Sequence, residues 1–174
     1  FRDAAFLEQA LTHSSFANEQ DESEQTSLPV RDNEQFEFLG DSVLGLVTSE
    51  HLFQSFPDYR EGQLSKLRAH LVSARYLSKV ARQLHLGEYL RLGRGEERTG
   101  GRMKQAILAD TVEAVIAALY LDGGFPAAQS FILKHVIGAE LARMGDDPAA
   151  STATADFKSS LQEFLQSKGQ AQPS

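Results

Sequence analysis

Residues 33–47 read NEQFEFLGDSVLGLV. Phe36, Phe38, Leu39, Val43, Leu44, Leu46 and Val47 are spaced to surround most of a helix. A helix apolar on nearly every side is expected inside a core. Yet Glu34, Glu37 and Asp41 sit within that run. At about 100° per residue, positions i, i+3 and i+7 fall within about 60° of one another. Glu37 and Asp41 are i, i+4 neighbours, so their charges repel, and burial makes each charge costly.

Residues 106–122, AILADTVEAVIAALYLD, pose the same problem. Asp110 and Glu113 are i, i+3 partners in an apolar stretch, and Lys104 is the only basic residue from Met103 to Asp122. Neither acidic pair has a cation from its own helix. If the two helices pack face to face, four carboxylates converge, and a hard divalent cation relieves their repulsion. Magnesium prefers oxygen ligands and keeps several waters. Such ions catalyse phosphodiester hydrolysis by activating water and stabilising the leaving oxyanion. For any one acid, helix capping or pairing with Arg68, Arg75 or Arg102 is an equal alternative; the two pairs together favour function. A di-iron bundle would use Glu-x-x-His, and Glu34, Glu37 and Glu113 have no His three residues on.

Outward from these runs, helical patterning continues. Residues 4–12, 61–84, 103–121 and 126–144 read as helices, residues 17–32 as an acidic loop, and 93–102 as a glycine-rich loop. No segment alternates like a strand, so the expected fold class is all-α. The glycine-rich loop lacks a phosphate-loop spacing and follows no expected strand, so nucleotide binding is rejected. His13, beside Thr12 and Ser14, reads as a hydrogen-bonded structural residue rather than a general base. Residues 145–155 are small and polar, a linker composition. A helix is expected at 156–168, with Asp156 as N-cap; alone it cannot bury its apolar face.

The 174 residues suit one domain plus an appendage, and 41% apolar residues suffice for a core. With no cysteine, disulfides and thiolate metal sites are excluded. No apolar run reaches the length of a membrane span, no signal peptide is visible, and the opening at Phe1 leads us to expect a natural start further upstream. The net charge of -7 argues against a nucleic-acid partner, but its distribution does not. Residues 60–104 hold 11 Lys/Arg and 4 Asp/Glu, a segment of +7 on a body of -14. Such a strip suits a phosphate backbone, although a solvated helix surface explains charge alone equally well.

The run NEQFEFLGDSVL (33–44) resembles the signature of the ribonuclease III family. ALTHSSF (10–16), EGQLSKLRAHLV (61–72), GGRMKQAILADTVEA (100–114) and ALYLDGG (118–124) resemble further family blocks in order. DFKSSLQEFLQ (156–166) is similar to the first helix of the double-stranded RNA-binding domain that usually follows. The chain departs from the pattern in a long acidic insert at 19–32, in Ser14 where Arg is frequent, and in Ala106 where Ser is frequent. None of these touches a carboxylate.

The resemblance implies an endonuclease domain at 1–145, a linker at 146–155, and at 156–174 the start of an incomplete α+β RNA-binding domain. It implies that Glu37, Asp41, Asp110 and Glu113 are the catalytic metal ligands, holding Mg2+, with Mn2+ as a substitute. Glu34 and Glu61 match two acids at the cleft edge, linked to substrate handling or a second metal. The implied reaction is hydrolysis of double-stranded RNA by metal-activated water, leaving 5′-phosphate and 3′-hydroxyl ends. The family acts as a homodimer, with Phe38 at the contact, and Gln162 and Gln166 match positions that meet the RNA minor groove. Processing of ribosomal RNA precursors and messenger RNA, a cytoplasmic location, and the absence of a membrane or small-molecule partner complete the expectation. Alternatives are a non-catalytic double-stranded RNA-binding protein on the same fold, whose acids would be lost, or another helical metal-dependent phosphohydrolase.

Overall fold

The structure, a computed structural model, describes residues 1–23, 30–145 and 148. The expected linker beyond Gly145, the helix at 156–168, Gln162 and Gln166 lie outside the described residues, as does the middle of the acidic insert. The chain is all-α: among the described residues no strand forms, and Thr12 and Arg91 make one isolated parallel bridge. No helix among the described residues is long and apolar enough to cross a membrane.

Helix α1 (Ala4–Ala10) begins at Asp3, whose carboxylate accepts the Ala5 N–H at 2.9 Å, satisfying one of the free amides of a helix start. The Asp122 carboxylate accepts the N–H groups of Arg2 and Asp3 at 2.7 and 2.8 Å, tying this end of the chain to a later helix. Helix α2 (Ser14–Ser23) corrects the expected loop from residue 17 onward, since the first part of the acidic insert is helical. Acidic composition alone does not forbid a helix, because Glu and Gln are good helix formers.

Helix α3 (Glu34–Ser55) and helix α8 (Gln105–Gly123) are the two long central elements. Between them lie α4 (Glu61–Leu71), α5 (Ala74–Gln83), the short α6 (Leu86–Tyr89) and α7 (Arg94–Arg98), and a 3-10 turn at Gly101–Met103. The expected single run 61–84 is broken at Ser73, whose side chain accepts the Tyr76 N–H and so starts α5 afresh. The glycine-rich segment holds α7 rather than loop alone. Gly124, at φ 77°, ends α8 in a conformation that favours glycine. Helix α9 (Phe125–Phe131) then runs through a π-helical turn (Ile132–Ile137) into α10 (Gly138–Met144).

The core gathers Leu44, Val47 and Leu52 of α3, Leu67 and Leu71 of α4, Leu77 and Val80 of α5, Leu108, Val112 and Ile116 of α8, and Ile132 and Ile137. A second cluster packs Ala10 and Phe36 against Ala114, Val115 and Ala118. Burial of such side chains contributes about 1.5–3 kcal/mol each. Small residues on that side of α8 let α1 and α3 come close.

α3 departs from the fully buried helix its composition suggests. Phe38, Leu46 and Phe53 are 79%, 59% and 72% exposed. They share an outer face of α3 that none of the other described residues covers.

Candidate metal centre

Gly40 sets the geometry. A Cβ built at this position would lie 1.8 Å from the Glu113 carbonyl oxygen. Only glycine lets the backbones of α3 and α8 meet there, one turn from Glu37. The close approach places the first turn of α3 beside the middle of α8. Glu34 and Glu37 both lie in that first turn, where the positive end of the helix dipole favours acids. Asp110 and Glu113 have no such help, being more than one turn into α8.

Oxygen atoms of Glu37, Asp110 and Glu113 lie within 4.8 Å of one another, each residue half-buried. Among the described residues no Lys or Arg forms an ion pair with any of the three. The local electrostatics follow. Burial, then Asp41, Asp110 and Glu37, push the Glu113 carboxyl up to about 8. Burial, then Asp110, Glu34 and Asp41, raise Glu37. Burial raises Asp110 too, while the His13 ring pulls it back. Three hard oxygen donors, gathered without a cation, are a donor set that fits a hard divalent ion.

The structure sorts the six acids singled out by sequence. Glu37, Asp110 and Glu113 come together. Asp41 is exposed and outside that trio, although its charge is felt by Glu113 and Glu37. Glu34 is exposed at the start of α3, its N–H bonded to Asp32 Oδ1 at 3.1 Å, and it also acts on Glu37. Glu61 is elsewhere, at the start of α4. It accepts the Ser65 hydroxyl at 2.6 Å and lines a concavity of about 320 Å³ with Ser49, Leu52, Phe53, Leu64 and Arg68. The alternative pairings with Arg68 and Arg102 are not made: Arg68 donates to Ser49 Oγ, and Arg102 pairs with Glu97 and the carbonyls of Gly87 and Leu90. Sequence reasoning passed over Gly40 and the electrostatic pull of the His13 ring on Asp110. A glycine costing about 1 kcal/mol in a helix interior is the signal that could have exposed the first.

Fold and cluster together define a class: an all-α domain whose two central helices meet to gather carboxylates able to hold a divalent ion. Within that class, this chain belongs to the ribonuclease-III-like family, whose model matches residues 3–139. It is 51% identical over 176 residues to Ribonuclease 3 of Solibacter usitatus, covering 99% of this chain and 64% of that relative. With Ribonuclease 3 of Syntrophobacter fumaroxidans it shares 43% identity, over 99% of this chain and 69% of the relative. The chain thus spans about two thirds of the length of these curated relatives. A solved nuclease domain of Campylobacter jejuni ribonuclease III superposes with a TM-score of 0.71 at 40% identity, over 82% of this chain and 91% of that one. That structure is described as having flexibility in a region involved in dimer formation.

Proposed function

We propose that this chain carries the catalytic domain of a magnesium-dependent endoribonuclease that hydrolyses phosphodiester bonds in double-stranded RNA, leaving 5′-phosphate and 3′-hydroxyl ends. The observation that carries the reading is the trio Glu37, Asp110 and Glu113, drawn from two apolar helices to within 4.8 Å with no cationic side chain paired to it among the described residues. Names and identities of the relatives support the same reading.

Glu37, Asp110 and Glu113, with Asp41 at the rim, would hold the ion. The ion, when bound, supplies Lewis-acid activation of water and charge neutralisation. The residues of this chain do the rest. Gly40 keeps the two acidic walls in register. Partial burial of Glu37, Asp110 and Glu113 strengthens the local field. The acidic floor repels stray anions until a cation is present. Glu34 and Glu61 stand as further acids for substrate handling, Glu61 away from the trio of its own chain.

The exposed face of α3, with Phe38 at its head, supports a homodimer in which each subunit makes one cut. The resemblance at 156–166 supports an RNA-binding domain following a linker at 146–155, with Gln162 and Gln166 on its RNA face. Targets among ribosomal RNA precursors and messenger RNA, and a cytoplasmic setting, complete the proposal.

The test is direct. Long duplex RNA is incubated with the protein and Mg2+, with and without EDTA. Cleavage that needs the ion is expected, and Asp41→Asn and Glu113→Gln should retain duplex binding while cleavage falls by at least about 100-fold. Undiminished cutting by both variants would reject the site. Binding without cutting by the unaltered protein would favour a non-catalytic RNA-binding role.

A further inference from the structure

A further concavity opens beside α8. Its volume is about 400 Å³, within the size range of small-molecule sites. Buried Leu108 of α8 lies at its floor, and Arg82 of α5, Met103 and the α6 turn stand around it. The lining is mostly apolar, and Glu37, Asp110 and Glu113 take no part in it. Leu108 is turned about 160° around α8 from Asp110 and about 140° from Glu113. The space therefore lies away from the carboxylate trio.

Its wall is tightly built. The Arg102 guanidinium donates to the carbonyls of Gly87 and Leu90 at 2.9 and 2.8 Å, and its Nε donates to Glu97 at 2.6 Å. A Cβ at Gly87 would lie 2.6 Å from the Arg102 carbonyl oxygen, so glycine lets these two segments close on each other. His85 enters the α6 turn at φ 55° and is the only non-glycine residue at positive φ among the described residues. Such strain persists where the surroundings over-determine the backbone, and it gathers at ligand clamps. Glu88 is the one carboxylate lining the space, and its Oε1 lies 3.1 Å from His85 Nδ1.

The cation at the mouth is Arg82. It donates to Ser78 Oγ and to the Met103 carbonyl, both at 3.3 Å, and forms no ion pair among the described residues. A guanidinium has further N–H groups to give. Arg75 and Lys79 share the exposed side of α5 with Arg82 and are likewise without an ion pair among the described residues, so the local field favours an anion. Met103 is 64% exposed, and a thioether makes favourable contacts with aromatic rings. We propose that this space is a binding site for a small aromatic monocarboxylate, its acid group on Arg82 and its ring against Met103 and Leu108. The guanidinium fork matches a carboxylate, and an arginine already anchored loses less freedom on binding. One unpaired cation at the mouth answers a single negative charge, which favours a carboxylate over a phosphomonoester of nearly two charges. The apolar lining gives a bare inorganic anion nothing to hold. The site does not depend on the reading of the carboxylate trio.

The full chain has two methionines, Met103 and Met144, and NMR of isotope-labelled methionine methyl groups reads each separately. Naphthoate is titrated in as the probe. The Met103 methyl should show a saturable ring-current shift while Met144 stays in place. Naphthalenemethanol, the same ring system without the charge, should bind about 10-fold more weakly. Acetate, the charge without the ring system, should leave both signals unmoved. Arg82→Gln should erase the advantage of the acid over the alcohol, and Arg82→Lys should keep part of it. An unmoved Met103 methyl, or equal movement of both methyls, would overturn the site. Equal affinity of the acid and the alcohol in the unaltered protein would overturn the Arg82 role without any variant, so a variant that fails to fold does not protect it. Adenosine monophosphate shifting Met103 at lower concentration than naphthoate would overturn the carboxylate assignment in favour of a nucleotide.

Discussion

Glu113 is the residue on which burial and charge conflict most. Its carboxyl is pushed from an ordinary 4.5 up to about 8 by burial first and by Asp41, Asp110 and Glu37 after it. A carboxyl raised in the folded state keeps its proton there after the unfolded chain has lost it. Stability of the ion-free protein should therefore fall as pH rises from about 4.5 to about 8, by roughly 2 kcal/mol once solvent screening of a half-buried group is allowed for. Divalent ions compete with that proton, so their affinity should rise through the same window. Calorimetry across pH, with and without Mn2+, checks both slopes, and Glu113→Gln should flatten them; an unaltered protein with flat profiles would count against the cluster as drawn. The gathering of Glu37, Asp110 and Glu113 was legible in sequence because two acidic pairs, each in an apolar helix without a cation of its own, together favour a shared site. The exposed position of Asp41 was not. It lies about 40° around the helix from Glu37, and apolar residues on all sides of α3 gave no sign of which side faces α8.

Helix against helix, the contact at Gly40 decides most. Gly40→Ala forces a methyl group into the Glu113 backbone. A cost of about 1–3 kcal/mol is expected from overpacking, together with weaker Mn2+ binding as Glu37 is pushed from Glu113. Urea melts and a Mn2+ titration read the two effects, and an alanine variant unchanged in both would show that the approach is not needed. A second contact joins α4 to α10. Buried Glu140 accepts Arg143 Nη2 at 2.6 Å and His70 Nε2 at 2.8 Å, and its carboxyl is held down at about 2, by the Arg143 hydrogen bond above all. Arg143 is 66% exposed, which screens the pair, so Glu140→Gln should melt below the unaltered protein at pH 7 by an amount worth about 1–2 kcal/mol. The depressed carboxyl gives stability that is present above about 4.5 and lost as pH falls toward 2. The gap between the two proteins should accordingly narrow in acid. None of this contact could be read from sequence, because His70 and Glu140 are 70 residues apart and each looks like a surface residue. The break at Ser73 was equally hidden, since serine inside a run of helix formers is an N-cap only if the chain turns there.

At the scale of the molecule, the composition of α3 was read correctly and its surroundings were not. The sequence demands burial of Phe38, Leu46 and Phe53, yet the described residues of one chain leave them bare. The proposed homodimer would meet the demand by laying a second copy over this face. Phe38→Glu with Leu46→Glu should convert the protein to a monomer in sedimentation while leaving its helical circular dichroism intact; an unaltered protein that already sediments as a monomer at micromolar concentration would speak against the pairing. The all-α class was legible because helical period and helix formers agree along the whole described chain. The wide turn at Ile132–Ile137, through which α9 passes into α10, was not legible. Here the Tyr76 hydroxyl donates to the Val136 carbonyl at 2.6 Å. A π-helical turn holds one residue more than ordinary winding would. Deleting a single residue between Ile132 and Ile137 would let the spiral regularise while the turns on either side keep their facing, so Glu140 should still meet His70. The surplus residue is thus absorbed inside the turn instead of being passed on to α10.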